Sequence, residues 1–433
     1  MIVSSRNRAL LAALGVVGVL TAACSSSGAS GGGRGGASAW ALTQGSQSTF
    51  EFSQKNWNAA NATDKVNFQF YANDAYKQKI RVAIGANDAP TIFENWGGGS
   101  LKDYADAGKL EDLTGALGAT AKSKYLASVA NVASFGGKLY GVPVNGTQPV
   151  VLYYNKDLFA KVGAQPPATW DDLIALIAKF KSAGIAPLSL AGGSKWPDLM
   201  YMEYLVDRIG GPAVFQNIVD GKPDAWSDPA VIQAGQMIQQ LVDAGAFANG
   251  YQSITYDAGQ SSALLYTGKA AMQLMGSWDY ATIQAAQPDF VKSGKLGWTS
   301  FPTVSGGKGD PADIAGNPAN YFSVTKAATA EQKAAAEKYL KDGVLDGPYV
   351  DDLLKNGNVP PVVGLESKLA SAPNSRWLTY QYDLVKKAPS YQLSWDQALS
   401  SSAGDALLTN LDQLFLKKVS PQQFADNMNK VGK

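Results

Sequence analysis

Apolar positions along the chain fall into two alternating rhythms. In KVNFQFYA, Val66, Phe68 and Phe70 recur at every second residue, which predicts a strand with one packed face. In QPVVLYYNKDLF the run from Val150 to Tyr154 is unbroken, as in a strand buried on both faces. A second unbroken segment, Ala270 to Met275, stops at Gly276. Between these strands the period changes to that of a helix. Thr169 and Asp172 have capping-box spacing ahead of Leu173, Ile174, Ile177 and Phe180, and Gly184 closes the segment. Glu331 to Asp342 is rich in Ala, Lys and Glu and ends at Gly343, while Ser420-Pro421-Gln422-Gln423 combines an N-cap, a first-turn proline and a capping box. Strands alternating with helices predict an α/β protein with mainly parallel sheets.

In an open α/β sheet, ligands bind beyond the carboxyl ends of the strands. The unusual residues cluster there. Trp96 follows TIFEN, Trp196 follows PLSLAGGSK, and Trp278 follows AAMQLMGS. In the last case an aspartate, Asp279, stands beside the indole, an odd neighbour for a core position.

Composition narrows the chemistry. Charged residues make up 17% of the 433, below the usual ~25%, and aromatics 10%. That balance points to a surface or cleft built from neutral polar and aromatic groups. The net charge is +1, which argues against a nucleic-acid partner. No histidine occurs and only one cysteine, Cys24. Histidine acid–base chemistry, Ser-His-Asp and Cys-His sites, histidine metal ligation and an internal disulfide are therefore excluded. We expect no catalytic residues, no metal and no cofactor.

The N-terminus reads as a leader. Arg6 and Arg8 precede an uncharged stretch from Ala9 to Leu20, shorter than the ~20 residues that span a bilayer. LTAAC then brings the sole cysteine. This resembles a bacterial lipoprotein signal, with residues 1–23 removed and lipid carried on Cys24, although Thr21 stands where that signal usually has Leu, Val or Ile. Residues 24–39 are Gly/Ser-rich and predict a flexible tether reaching about 20 Å. Location at the cell membrane, lipid-anchored on its extracellular face, follows as an expectation.

Several segments in order carry a broader resemblance: YKQKIRVAIGANDAPTIFENWGGGSLKDYADAGKLEDLT, GKLYGVPVNGTQPVVLYYNKDLFAKVG, PATWDDLIAL, FANGYQSITYD, GKAAMQLMGSWDY and VSPQQFADNM. Together they resemble the extracellular sugar-binding proteins of ABC importers, relatives of maltose-binding protein, with Thr91 replacing the family's customary Asp. The resemblance implies a two-lobed periplasmic-binding-protein-like fold of the class II type, with a ligand cleft between lobes joined by a hinge. It places residues 40–143 plus 303–343 in the N-terminal lobe and 144–302 plus 344–433 in the C-terminal lobe. Crossings are expected near 142–145, 300–303 and 341–347. It also implies a monomer whose partners are a neutral oligosaccharide and the permease subunits in the membrane, and no enzyme activity.

A sugar ring has apolar C–H faces that stack on an indole and hydroxyl edges that need amide, carboxylate or amine partners. The candidate cleft pairs are therefore Asn95-Trp96, Lys195-Trp196, Trp278-Asp279 and Trp395-Asp396. In the family the Trp of the Gly-x-Trp segment stacks on sugar, a role that falls on Trp278. Asn145 and Gln148 sit just past the first crossing, and Asn317 lies in AGNPANY, a loop that faces the cleft in relatives. Trp40 and Gln44 fit either packing or the cleft. Trp170, Trp226 and Trp298 read as packing residues. Several Trp suggest a ligand of at least two rings, with β-linked xylobiose or cellobiose as the nearest guess. Two other classes stand beside this reading: a cell-surface glycoside hydrolase using paired carboxylates, and a lipid-anchored adhesin.

Overall fold

The computed structural model describes residues 36–431. Cys24, the leader 1–23 and most of the tether lie outside the described residues. The tether's last residues belong to the fold instead. Ala37 and Ala39 are fully buried in the first strand, because a methyl side chain lets that strand pack between its neighbours.

Among the described residues thirteen strands follow in chain order. They are β1 (Ala37–Leu42), β2 (Val66–Tyr71), β3 (Ile92–Asn95), β4 (Ser134–Phe135), β5 (Lys138–Leu139), β6 (Val142–Pro143) and β7 (Gln148–Asn155), then β8 (Ala186–Ser189), β9 (Ala270–Gly276), β10 (Leu296–Thr299), β11 (Ile314–Asn317), β12 (Tyr321–Val324) and β13 (Tyr391–Leu393). One sheet has the order β2-β1-β3-β12-β6, and the other β13-β11-β7-β9-β8 with β10 also paired to β7. These sheets are the centres of two lobes. Strand β7 is buried along nearly its whole length, as its unbroken apolar run predicts. Val66, Phe68 and Phe70 take the packed face of β2, with Asn67 and Gln69 turned outward.

The sheets are mixed rather than mainly parallel. β1 runs parallel to β2 and β3, but β12 is antiparallel to β3 and to β6, and β7 is antiparallel to β9, β10 and β11. The cause is the route of the chain. Strands that arrive from the other lobe enter against the direction set by the local strand–helix–strand units.

The first passage, residues 144–147 between β6 and β7, overlaps the expected one. The second lies at residues 318–320, between β11 and β12, and not at 300–303. There both β10 and the following β11 belong to the second sheet. The third follows helix Gly347–Lys355 and not residues 341–347. That helix stays on the first sheet, where Tyr349 is fully buried, packs 6.4 Å from Phe50 and donates its hydroxyl to the Val144 carbonyl at 2.6 Å. Helix Ser375–Lys387 packs on the second sheet, with Trp377 5.7 Å from Tyr153. The first two passages are bonded together: Val144 donates its N–H to the Asn320 carbonyl at 2.9 Å, and the Asn145 side chain accepts the Asn320 N–H at 2.8 Å.

The helix signals hold: Thr169 and Ser420 close the capping boxes their spacing predicts, the first with Asp172, and Thr329 closes a further one ahead of the Ala/Lys/Glu-rich helix. Removing the Thr169 hydroxyl leaves the Asp172 N–H without its 3.2 Å acceptor. Thr169→Ala is expected to lower the unfolding free energy by about 1 kcal/mol, read from urea denaturation followed by Trp emission.

Candidate functional site

Three strands deliver a tryptophan to one cavity. β3 ends at Asn95 and Trp96 follows directly; β8 leads through a turn to Trp196, the first residue of helix Trp196–Gly210; β9 ends at Gly276 and Trp278 precedes helix Asp279–Ala286. All three indoles line a space of about 700 Å³ between the lobes, including the part open to solvent at its mouth. Trp196 and Trp278 lie 6.0 Å apart, and Tyr256 packs edge-on to Trp196 at 5.1 Å. The Trp278 ring folds back over Gly276. A Cβ built there would sit 1.8 Å from the ring, so only glycine leaves room for the indole.

Gln44, Asn145, Gln148, Asn317 and Asp396 line the same cavity. Gln44 reaches across the cleft, donating its amide to the Asp257 carbonyl at 3.2 Å. Asp396 pairs with Lys77 from the other lobe at 3.0 Å and accepts the Gln397 amide at 2.8 Å. Asn320, one of the second-passage residues, donates to the Glu94 carboxyl at 2.6 Å, and Leu42 N–H donates to the same group at 2.8 Å. Burial nevertheless raises Glu94 to about 7. Among the described residues the amide oxygens of Gln44, Asn317 and Asn320 are buried and have no hydrogen-bond partner in the protein. A buried acceptor left this way costs about 1–3 kcal/mol, so three residues that line the cavity keep acceptor capacity that the protein itself does not use.

Four candidates stand off this wall. Trp395 is fully buried, stacks on Phe215 with centroids 4.3 Å apart and donates its indole N–H to Gln392 at 3.2 Å; it is a packing residue. Asn95 is consumed by the first sheet, its amide donating to the Tyr321 carbonyl and Ser323 hydroxyl and its oxygen accepting Gly97 N–H. Asp279 is fully buried and accepts the hydroxyls of Ser262 at 2.8 Å and Tyr256 at 3.1 Å. Burial raises it to about 6, against the pull of those donors. It braces Tyr256 and, through Ser262, helix Gln260–Tyr266. Lys195 contributes its backbone, with φ of 63° turning the chain into the helix that Trp196 begins.

Other wall residues carried no strong local signal. Asn73 and Lys77 open the helix after β2, a strand exit with no tryptophan to draw notice, and Tyr256, Ser394 and Gln397 arrive on loops and a one-turn helix of the second lobe. Asn320 stands three residues after Asn317 in AGNPANY, and that proximity could have found it. Trp170 and Trp226 are buried, and Trp298 packs against Trp377 at 5.1 Å, so all three serve packing.

Residues 40–341 match the family model for the bacterial extracellular solute-binding protein. The chain belongs to that family. A probable sugar-binding periplasmic protein of Rhizobium meliloti is 29% identical over 226 residues, covering 51% of each chain. The chain thus spans about half the length of the curated relatives it matches. A solved structure from work on xylan utilization by the thermophilic bacterium Caldanaerobius polysaccharolyticus superposes with a TM-score of 0.81 at 30% identity, covering 91% of this chain and 99% of that one. A chitin oligosaccharide binding protein superposes at 0.80, covering 91% of this chain and 97% of that one; at 24% identity it shows the shared fold alone. This solute-binding protein therefore has the two-lobed α/β fold of its family. No helix among the described residues is long and apolar enough to cross a membrane.

Two outcomes test the site's construction. Gly276→Ala forces the Trp278 ring to move, with an overpacking cost of about 1–3 kcal/mol and a shift in Trp emission; unchanged stability and emission would show that the ring does not rest there. The second concerns pH. Glu203 is fully buried on helix Trp196–Gly210 and accepts Trp395 N–H at 2.8 Å, yet burial raises it to about 8 from 4.5. A raised carboxyl favours the protonated fold, so this contribution is present below about pH 4.5 and is lost as pH climbs through about 8. Glu203→Gln should flatten the fall in unfolding free energy across that window, measured by denaturation at stepped pH; an unaltered slope would mean Glu203 is ionised in the fold.

Proposed function

We propose that this chain is the substrate-binding component of an ABC importer, capturing a neutral di- or oligosaccharide between its lobes and presenting it to the membrane permease. The observation that carries the reading is the coincidence of indoles and unpartnered amide oxygens on one wall. Trp96, Trp196 and Trp278 offer faces for sugar C–H surfaces, while Gln44, Asn317 and Asn320 hold buried acceptors suited to ring hydroxyls. Asn145, Gln148 and Asp396 complete the polar lining. Lys77 and Asp396 neutralise each other, which suits an uncharged ligand.

A glycosidase needs two carboxyl groups flanking the bond it cleaves. Asp396 is the single acidic residue among those lining this cavity, and Lys77 holds it. Binding without cleavage is the better reading. The similarity to a protein studied in xylan utilization favours a β-linked ligand of the xylobiose or cellobiose kind. We further propose that lipid on Cys24 anchors the chain at the extracellular face, and that it acts as a monomer.

The test is titration calorimetry of the full-length chain with xylo-, cello-, malto- and chito-oligosaccharides, with parallel assay for new reducing ends. Saturable binding without product supports the proposal; product, or no binding by any glycan, overturns it. Trp278→Ala should weaken the preferred sugar at least about tenfold, a loss of about 1.4 kcal/mol; unchanged affinity removes Trp278 from the site.

A further inference from the structure

Helix Asn73–Ala86 opens the first lobe's side of the cleft, and three of its residues share one face. Asp74, Lys77 and Arg81 are spaced by three and four, so their side chains point the same way at successive turns. Each meets the second lobe. Asp74 accepts the Ser194 hydroxyl at 2.7 Å and the Trp196 indole N–H at 3.1 Å. Lys77 pairs with Asp396 at 3.0 Å, and Arg81 grips both oxygens of Asp405 at 2.5 and 3.2 Å. The face is a row of three polar clasps that can form only with the lobes together.

The middle clasp has a second property. A neighbouring cavity of about 580 Å³ lies further along the cleft, with Arg81, Ser100, Tyr104 and Asp405 among its lining groups. Lys77, Trp96, Asp396 and Gln397 line both cavities, so together they form the partition between them. Within that partition the Lys77 ammonium stands 5.0 Å over the Trp96 ring and pairs with Asp396 at 3.0 Å.

We propose that the Lys77–Asp396 pair is a length gate, ending the sugar cavity at Trp96 and deciding how many rings this protein accepts. The gate rests on the sugar-binding reading above and deepens it. Non-bonded atoms approach to about 3.5–4.0 Å, so a ring threaded between the two charged groups would need them about 7 Å apart or more. They stand at 3.0 Å. A ligand extending past Trp96 therefore breaks the middle clasp. Because Asp74 and Arg81 sit one turn to either side on the same rigid helix, it also pulls on theirs. A ligand that stops at Trp96 allows all three. Length is thus read at closure, through contacts that the sugar itself does not make.

The experiment is calorimetry on the full-length chain with oligosaccharides from disaccharide to hexasaccharide, comparing wild type with Lys77→Ala, Lys77→Arg and Asp396→Ala. Wild type should bind up to one length and fall off sharply at the next. Lys77→Ala should join the two cavities and raise the affinity for that next length, relative to the preferred one, by about tenfold or more. Asp396→Ala breaks the pair from the other lobe and should shift the profile in the same direction, while Lys77→Arg retains the pair and the wild-type profile. A general structural defect would weaken every length alike. A length profile that stays the same in both alanine variants, with wild type binding sugar normally, overturns the gate and leaves the sugar-binding reading intact. Failure of wild type to bind any member overturns that reading, and the gate with it.

Discussion

The hydrogen bond from Asn320 N–H to the Asn145 side chain, 2.8 Å long, ties together two passages of the chain between the lobes. Its backbone companion, Val144 N–H to Asn320 carbonyl, fixes their register. Hinge motion in two-lobed proteins is absorbed by a few residues at such junctions, and here Asn145 and Asn320 also line the cavity between the lobes. Asn145, Gln148, Asn317 and Asn320 lie in the passages or at the strand ends that adjoin them. The polar floor of the cleft is therefore built from the passages between the lobes, while the aromatic walls ride on the lobes.

This division explains how each group is supported. The floor needs accurately placed amides, and it obtains them from backbone pairing and from Glu94, whose carboxyl holds Leu42 and Asn320 from two sides. The walls need broad rigid surfaces, and strand exits supply them. Trp278 can fold back on its own strand because Gly276 has no side chain. Behind it the buried Asp279 carboxyl fixes Tyr256, which in turn packs on Trp196. Buried polar groups thus orient the apolar ones that face the cavity.

Much of this was legible in the residues. The capping boxes at Thr169 and Ser420, the buried run of β7 and the alternation of β2 are local patterns, and local patterns survive folding. So did the placement of Trp96, Trp196 and Trp278, because the end of a strand is a position readable from one segment. Trp395 and Asp279 misled for a shared reason. Each stands beside a residue on the cavity wall, and adjacent side chains in or at the start of a helix point in different directions, so Asp396 and Trp278 face the cavity while their neighbours turn into the core. Lys77 was missed because its significance lies in Asp396, more than three hundred residues away along the chain.

The sequence by itself determined the alternation of strands and helices, the helix ends, the absence of histidine chemistry and the three strand-exit tryptophans. The histidine count is read from the whole sequence; each of the others depends on residues within about one turn or one strand of one another, where spacing and side-chain type are sufficient. Only the tertiary structure decided the direction of the strands, the sites of the second and third passages, which amide oxygens were left without donors, and the pairing of Lys77 with Asp396. These are relations between segments far apart in sequence. They arise when the chain crosses from one sheet to the other and returns, and no local pattern records which strand it will meet there.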